Sequence, residues 1–175
     1  REIADRVTGV VPTFRRNYET YRDAQVPVEF FGHPMVDVIK KFDRADALDR
    51  LGLTDGRYVT LLPGSRLQEV RLMTPILVET ARRLRENDPE LRFLLPSASP
   101  GVYQKLQNIC PDFIDLHNGK AQEMLSLSEL AIMASGSVSL EACILDCPMV
   151  LGYRFNRFDA ALGRFLIAIG LLKIK

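Results

Sequence analysis

Histidine and cysteine are scarce in this chain, at two and three of 175 residues. His33 and His117 lie far apart and only Cys143 and Cys147 are near neighbours, so no four-ligand zinc set is evident and no metal is expected. An odd cysteine count without framework spacing argues against a disulfide-stapled scaffold and for a reduced, cytosolic setting. An excess of one charge is also missing. Lys and Arg number 23 against 22 Asp and Glu, and a net charge of +1 speaks against nucleic acid as a partner. No apolar leader follows the mixed charges of Arg1 to Asp5. A Walker loop, a Ser-His-Asp arrangement, internal repeats and low-complexity tracts are all lacking. The chain does not start with Met and stops at Lys175 inside an apolar stretch, so it is expected to be a piece of a longer protein.

What is present is an ordinary globular composition, 47% hydrophobic and 26% charged. Apolar runs predict strands at Val7 to Phe14, Val28 to Phe31, Tyr58 to Leu62, Leu91 to Pro96, Phe113 to Leu116, Leu130 to Met133 and Pro148 to Tyr153. Helical patterns fall between them. Leu72, Ile76, Thr80 and Leu84 form an i, i+4 stripe with Arg82, Arg83 and Arg85 off it. Tyr103, Leu106 and Ile109 mark a second helix, Met124 and Leu127 a third, and Val138 to Leu145 a fourth. Short buried strands alternating with helices predict an α/β fold, a Rossmann-like parallel sheet with helices on both faces. The Gly32-His33-Pro34 turn and the charged segment Lys40 to Arg50 predict a boundary, with residues 1 to about 31 the tail of a preceding domain.

Ligands of such sheets bind beyond the C-terminal strand ends. The first loop there is Pro63-Gly64-Ser65-Arg66. Gly64 permits close backbone approach, Ser65 offers a hydroxyl and Arg66 a planar fork suited to phosphate. The same residues read equally well as a helix-capping turn with a solvated arginine. The second loop is Ala134-Ser135-Gly136-Ser137, running into Val138 and Glu141. Amides of Gly136, Ser137 and Val138 suit a phosphate, and the Glu141 carboxylate suits both ribose hydroxyls, although it also fits the positive end of a helix. Glu141 follows Ser137 by four residues and so misses the spacing of a capping box. Two phosphate-type loops on one sheet favour a ligand, in a pattern that many nucleotide binders share.

Other residues carry less. His33 reads as a structural hydrogen bond at a hinge, and His117 with Asn118 as a polar loop that borders the pocket at most. Cys143 and Cys147 share a helix face only if the helix extends that far, and buried apolar cysteines are the plainer reading. The stretch 155–175 is apolar nearly all round, with cations at Arg157, Arg164, Lys173 and Lys175. Its longest uninterrupted apolar run, Phe165 to Leu172, is shorter than the ~20 residues that span a bilayer. It suits either a membrane interface or a packed helix at a core or subunit contact.

Four segments together resemble lipid-A-disaccharide synthase. They are Phe31-Gly32-His33-Pro34-Met35-Val36-Asp37, Leu62-Pro63-Gly64-Ser65-Arg66 with Glu69, Ala134-Ser135-Gly136-Ser137 with Leu140-Glu141, and Pro148-Met149-Val150 running to Tyr153-Arg154. The resemblance covers essentially the whole chain. It implies the C-terminal half of a two-domain GT-B glycosyltransferase, with residues 1–31 the tail of the N-terminal domain, 32–45 the interdomain hinge and 46–175 the UDP-sugar-binding domain. The implied reaction transfers diacylglucosamine from UDP-diacylglucosamine to diacylglucosamine 1-phosphate with inversion, without metal or cofactor. The implied location is the inner face of the bacterial inner membrane, reached through 155–175, and a homodimer is allowed. By the same resemblance Arg66 is the catalytic residue, holding the diphosphate and balancing charge on departing UDP. Gly64, Ser65, Ser135, Gly136 and Ser137 help bind the donor and Glu141 holds the ribose, while Glu69, Asn118, Tyr153 and Arg154 are placed near the cleft. The general base belongs to the N-terminal domain, so this stretch alone is expected to be inactive and to retain at most weak UDP binding. A UDP-N-acetylglucosamine 2-epimerase or related GlcNAc transferase fits the same loops without needing the apolar tail. A non-catalytic UDP-binding or scaffold module is the alternative from another class.

Overall fold

The apolar runs from Tyr58 onward become the strands of one parallel sheet. The computed structural model describes residues 6–154, and the expectations for 155–175 lie outside them. The chain divides into two compact units, Arg1–Ile39 and Lys40–Lys175.

In the first unit the two predicted strands are not formed. Only an isolated parallel bridge joins Val10 to Val28, with Val10 N–H donating to Pro27 O at 2.9 Å and Glu29 N–H to Val10 O at 3.1 Å. Between them runs helix α1, Arg15–Asp23, and after them the short α2, Met35–Val38. The apolar residues of these runs lack a partner strand within the described unit, and an isolated pair is too small to sustain a ladder. His33 makes the expected structural hydrogen bond: its Nδ1 accepts from Met35 N–H at 3.2 Å.

The second unit opens with α3, Arg44–Leu51. This corrects the reading of Lys40 to Arg50 as a mere charged separator. The Asp43 carboxylate caps it by accepting from Asp46 N–H at 2.8 Å, Gly52 ends it at φ 68°, and it buries Ala47 and Leu51. Then follow β1 (Arg57–Leu62), α4 (Leu67–Asn87), β2 (Leu91–Ser97), α5 (Pro100–Gln107), β3 (Ile114–Asn118), α6 (Ala121–Leu127), β4 (Leu130–Ala134), α7 (Val138–Ile144) and β5 (Met149–Gly152). All neighbouring strands pair in parallel, in the order β3-β2-β1-β4-β5.

The sheet is covered on both faces, as the buried runs of β1 and β2 require. Val59, Leu61, Phe93 and Leu95 pack with Val70, Leu77 and Ala81 of α4 and with Val102 and Leu106 of α5. On the other face Tyr58 and Leu94 meet Ala47 and Leu51 of α3 and Met124 and Leu127 of α6. The fold is α/β and Rossmann-like.

The buried face of α4 is not the predicted one. Val70, Met73, Thr74, Leu77 and Ala81 are buried, whereas Ile76 is 37% exposed. Four residues turn a helix by 400°, so a strict i, i+4 stripe drifts by 40° per step. The stripe from Leu72 winds around the edge and reaches the core only at Leu84.

Thr74 lies in this face with a fully buried hydroxyl that has no hydrogen-bond partner among the described residues. Thr74→Val, nearly isosteric, is expected to stabilise the unit by about 1 kcal/mol because it removes an unpaired polar group. The check is a higher urea midpoint at unchanged slope.

Candidate functional site

The strand order has a consequence for the loops. From β1 the chain winds outward through β2 to β3, then returns to β4 on the opposite side of β1 and continues to β5. A crevice opens outside the C-terminal strand ends where the direction reverses, between β1 and β4. Leu62 stands beside Met133 in register, so the loops leaving these strands are neighbours although about seventy residues separate them. A cavity of about 640 Å³ lies there, within the size range of small-ligand sites.

Gly64, Ser65, Arg66 and Glu69 line it from one loop, and Ser135, Gly136, Ser137 and Glu141 from the other. The geometry of the first loop is set by Glu69. Its carboxylate accepts from the backbone N–H of Ser65 at 3.1 Å and of Arg66 at 3.3 Å, and from Arg66 Nη1 at 2.9 Å. The Glu69 side chain is 14% exposed and that of Arg66 83% exposed. The capping turn and the exposed arginine of the plainer reading are therefore both present. They leave most of the guanidinium fork, which carries five N–H donors, directed at solvent or ligand. Burial raises the Glu69 pKa, but the hydrogen bonds from Arg66 and Ser65 outweigh it and hold the carboxyl below its ordinary range. The contribution of Glu69 to loop order is thus complete at neutral pH and lost as pH falls through that depressed value.

Gly64 has φ 112°, and a Cβ built on it would stand 2.5 Å from Glu69 Oε2 and 2.8 Å from Glu69 Cβ. In the second loop Ser139 Oγ donates to Gly136 O at 2.7 Å, closing the turn before α7. Glu141 is half-buried one turn into α7. Burial pushes its carboxyl up, and the nearby Gln122 side chain acts against the rise.

A third wall was not anticipated from the sequence. Ser97 and Ala98, at the end of β2, and Gly119 to Glu123, entering α6, line the same cavity. Gly119 N–H donates to Ser97 O at 2.9 Å and Ser97 Oγ to Asn118 Oδ1 at 3.1 Å, which ties the ends of β2 and β3 together. Gly119 and Lys120 both take positive φ, 76° and 63°. The signal was the Asn-Gly pair at a strand end, but nothing local marks Lys120 as left-handed. Its ammonium hydrogen-bonds Arg50 O in the last turn of α3.

Asn118, Tyr153 and Arg154 do not line the cavity. Asn118 ends β3 beside Gly119, and Tyr153 and Arg154 follow β5. Arg154 borders a shallow depression over α4 with Glu79, Arg83 and Asn87. His117 lies on β3, half-buried in register with Pro96, and burial lowers its pKa. The two cysteines diverge: α7 ends at Ile144, Asp146 takes φ 57°, and Cys147 is buried while Cys143 is exposed. Cys143 thus departs from the buried-cysteine reading, because it lies on the solvent side of a helix too short to align the pair. No metal-holding group of His, Cys, Asp or Glu occurs among the described residues. Among them, no helix is long and apolar enough to cross a membrane.

Known proteins resemble this chain in sequence and in fold. The lipid-A-disaccharide synthase of Alkalilimnicola ehrlichii is 39% identical over 97% of this chain and 47% of its own length. The enzyme of that name from Thiobacillus denitrificans is 34% identical over 93% of the chain and 45% of its length. That from Pseudomonas aeruginosa strain UCBPP-PA14 is 40% identical over 88% and 42%. The chain spans about half the length of these curated relatives. Among solved structures, a putative UDP-N-acetylglucosamine 2-epimerase from Listeria monocytogenes shares the fold with a TM-score of 0.60 at 17% identity, over 87% of this chain and 44% of that one. The S. aureus MnaA–UDP co-structure does so with a TM-score of 0.56 at 17% identity, over 83% and 42%. The family model for lipid-A-disaccharide synthetase matches residues 1–174, and the chain belongs to that family.

Proposed function

We propose that residues 46–175 form the UDP-sugar-binding domain of a GT-B glycosyltransferase, with 1–31 the tail of its N-terminal domain and 32–45 the hinge. The whole enzyme is a lipid-A-disaccharide synthase. It transfers diacylglucosamine from UDP-diacylglucosamine to diacylglucosamine 1-phosphate. The observation that carries this reading is the cavity between β1 and β4, where the Arg66 loop opposes Ser135–Ser137 and Glu141. An exposed guanidinium beside glycine and serine amides suits a diphosphate, and a half-buried carboxylate suits a ribose diol. A fold neighbour at 17% identity is a complex with UDP.

In the reaction the acceptor 6-hydroxyl attacks the anomeric carbon of the donor. The bond from that carbon to the UDP oxygen breaks, and its electron pair leaves on the diphosphate. Arg66 meets the charge that grows there, an interaction stronger in the transition state than in the bound donor. The hydroxyl proton goes to a base outside the described residues. The stretch 155–175 supports peripheral attachment to the inner membrane. Family membership favours the transferase over a 2-epimerase, whose solved example shares only the fold at 17% identity.

Calorimetric titration of UDP into the folded chain, with UMP and ADP as controls, tests the reading. Saturable binding that favours UDP over both is expected. Folded protein that ignores UDP would reduce the loops to structural turns.

A further inference from the structure

The two oxygens of the Glu69 carboxylate have different partners. Oε2 accepts the backbone N–H groups of Ser65 at 3.1 Å and of Arg66 at 3.3 Å. The bond to the N-cap amide is all that a capping box asks of a glutamate at this position. Oε1 accepts from Arg66 Nη1 at 2.9 Å, a bond the turn does not need. As an ion pair it adds little to stability, because the arginine side chain is exposed. The carboxylate, in contrast, is fixed. Its side chain is only 14% exposed, and Gly64 lies so close that a Cβ there would stand 2.5 Å from Oε2. Val70 and Met73 of the same helix are buried in the core. The guanidinium is therefore referenced to α4 and not to a loop tip.

We propose that Glu69 is a positioning residue of the donor site, whose fixed carboxylate holds the Arg66 guanidinium at the cavity, ready for the terminal phosphate. The proposal rests on the assignment of Arg66 to the diphosphate. A free arginine side chain loses rotamer freedom when it meets a phosphate; one already bonded to a fixed partner has lost part of it beforehand. The bond at Nη1 leaves the other N–H donors of the fork for a ligand. The backbone amides of Ser65 and Arg66 are already given to Oε2, so these two residues meet a diphosphate through their side chains. The carboxylate acts on such a ligand with two opposite signs. Its charge repels an anion, so removing the charge by itself would tighten UDP, and UDP more than UMP. Its hold on Arg66 favours UDP, and the proposal is that this hold prevails.

The test uses the full-length protein carrying Glu69→Gln. The one remaining oxygen can still serve the Ser65 and Arg66 amides, while the NH₂ end faces the guanidinium and cannot accept from it. The urea midpoint should shift little. UDP should bind about fivefold more weakly and UMP should change by less than about twofold. On an Arg66→Ala background Glu69→Gln should cause no further loss of UDP, since the residue acts through Arg66. Arginine nitrogen NMR of the ligand-free wild type needs no variant: Arg66 should show separate Nη1 and Nη2 signals, where a freely turning guanidinium gives one average. UDP bound by Glu69→Gln as tightly as by wild type, or more tightly, would overturn the proposal. So would a loss that persists without Arg66, or an averaged Nη signal in the wild type. If Arg66→Ala alone leaves the preference for UDP over UMP intact, the assignment of Arg66 to the diphosphate falls and takes the proposal with it. If Arg66→Ala abolishes that preference and Glu69→Gln does not lower it, only the proposal falls.

Discussion

Gly64→Ala is expected to lower stability by about 2–4 kcal/mol and to remove measurable UDP binding. Two costs combine at this position. The φ of 112° lies where an L side chain is strained by about 1–3 kcal/mol. The new methyl would also stand 2.5 Å from Glu69 Oε2 and 2.8 Å from Glu69 Cβ, contacts that real Cβ atoms do not make. Because Glu69 Cβ belongs to α4 rather than to a flexible tip, the loop has to move. Movement breaks the hydrogen bonds from Ser65 and Arg66 to the Glu69 carboxylate and takes the guanidinium away from the cavity. Gly119→Ala separates the two costs. Its φ of 76° is also left-handed, but nothing lies within 4 Å of the added carbon, so about 1 kcal/mol is expected there. Urea unfolding of both variants beside UDP calorimetry is the check. Equal losses for the two would mean that the contact with Glu69 is relieved at no cost.

Arg66→Ala should weaken UDP by about 10- to 100-fold, the equivalent of about 1.5–3 kcal/mol for a charged hydrogen bond, while thermal stability stays nearly unchanged. The Arg66–Glu69 pair is exposed on its arginine side, and exposed pairs contribute little to folding. Glu69 would keep its two backbone donors, so the loop should persist. If Arg66 binds the terminal phosphate, the variant should bind UDP about as weakly as UMP, which lacks it. Arg66→Lys should fall between, because an ammonium keeps the charge and loses the fork. Equal losses for UMP and UDP would place Arg66 away from the terminal phosphate.

Much of this architecture could be read from residues alone. The runs at Tyr58–Leu62, Leu91–Pro96 and Leu130–Met133 are apolar apart from Thr60 and Arg92, and each lies within a strand found in the sheet. The early runs at Val7–Phe14 and Val28–Phe31 look similar but contribute only one bridge, because a strand needs a partner that composition does not supply. Arg44–Leu51 was hidden by its charges: a helix that buries only Ala47 and Leu51 shows too narrow an apolar face to stand out. On α4 the period was right and the face was wrong, since Ile76 and Leu77 are equally apolar and only contact with the sheet chooses between them.

What the sequence by itself determined is the kind of each element from β1 onward and the residues at the strand ends: Gly64, Ser65 and Arg66 after one strand, Ser135, Gly136, Ser137 and Glu141 after another. These follow from local physics, namely side-chain periodicity, backbone freedom at glycine and the donors each residue carries. Only the tertiary structure decided that β1 and β4 are neighbours, that the two loops share a cavity, and that Gln122 and Lys120 complete its wall. Strand order depends on packing between segments far apart in the chain. Buried parallel strands with similar apolar runs are interchangeable until helices cover both faces and the crossovers are closed.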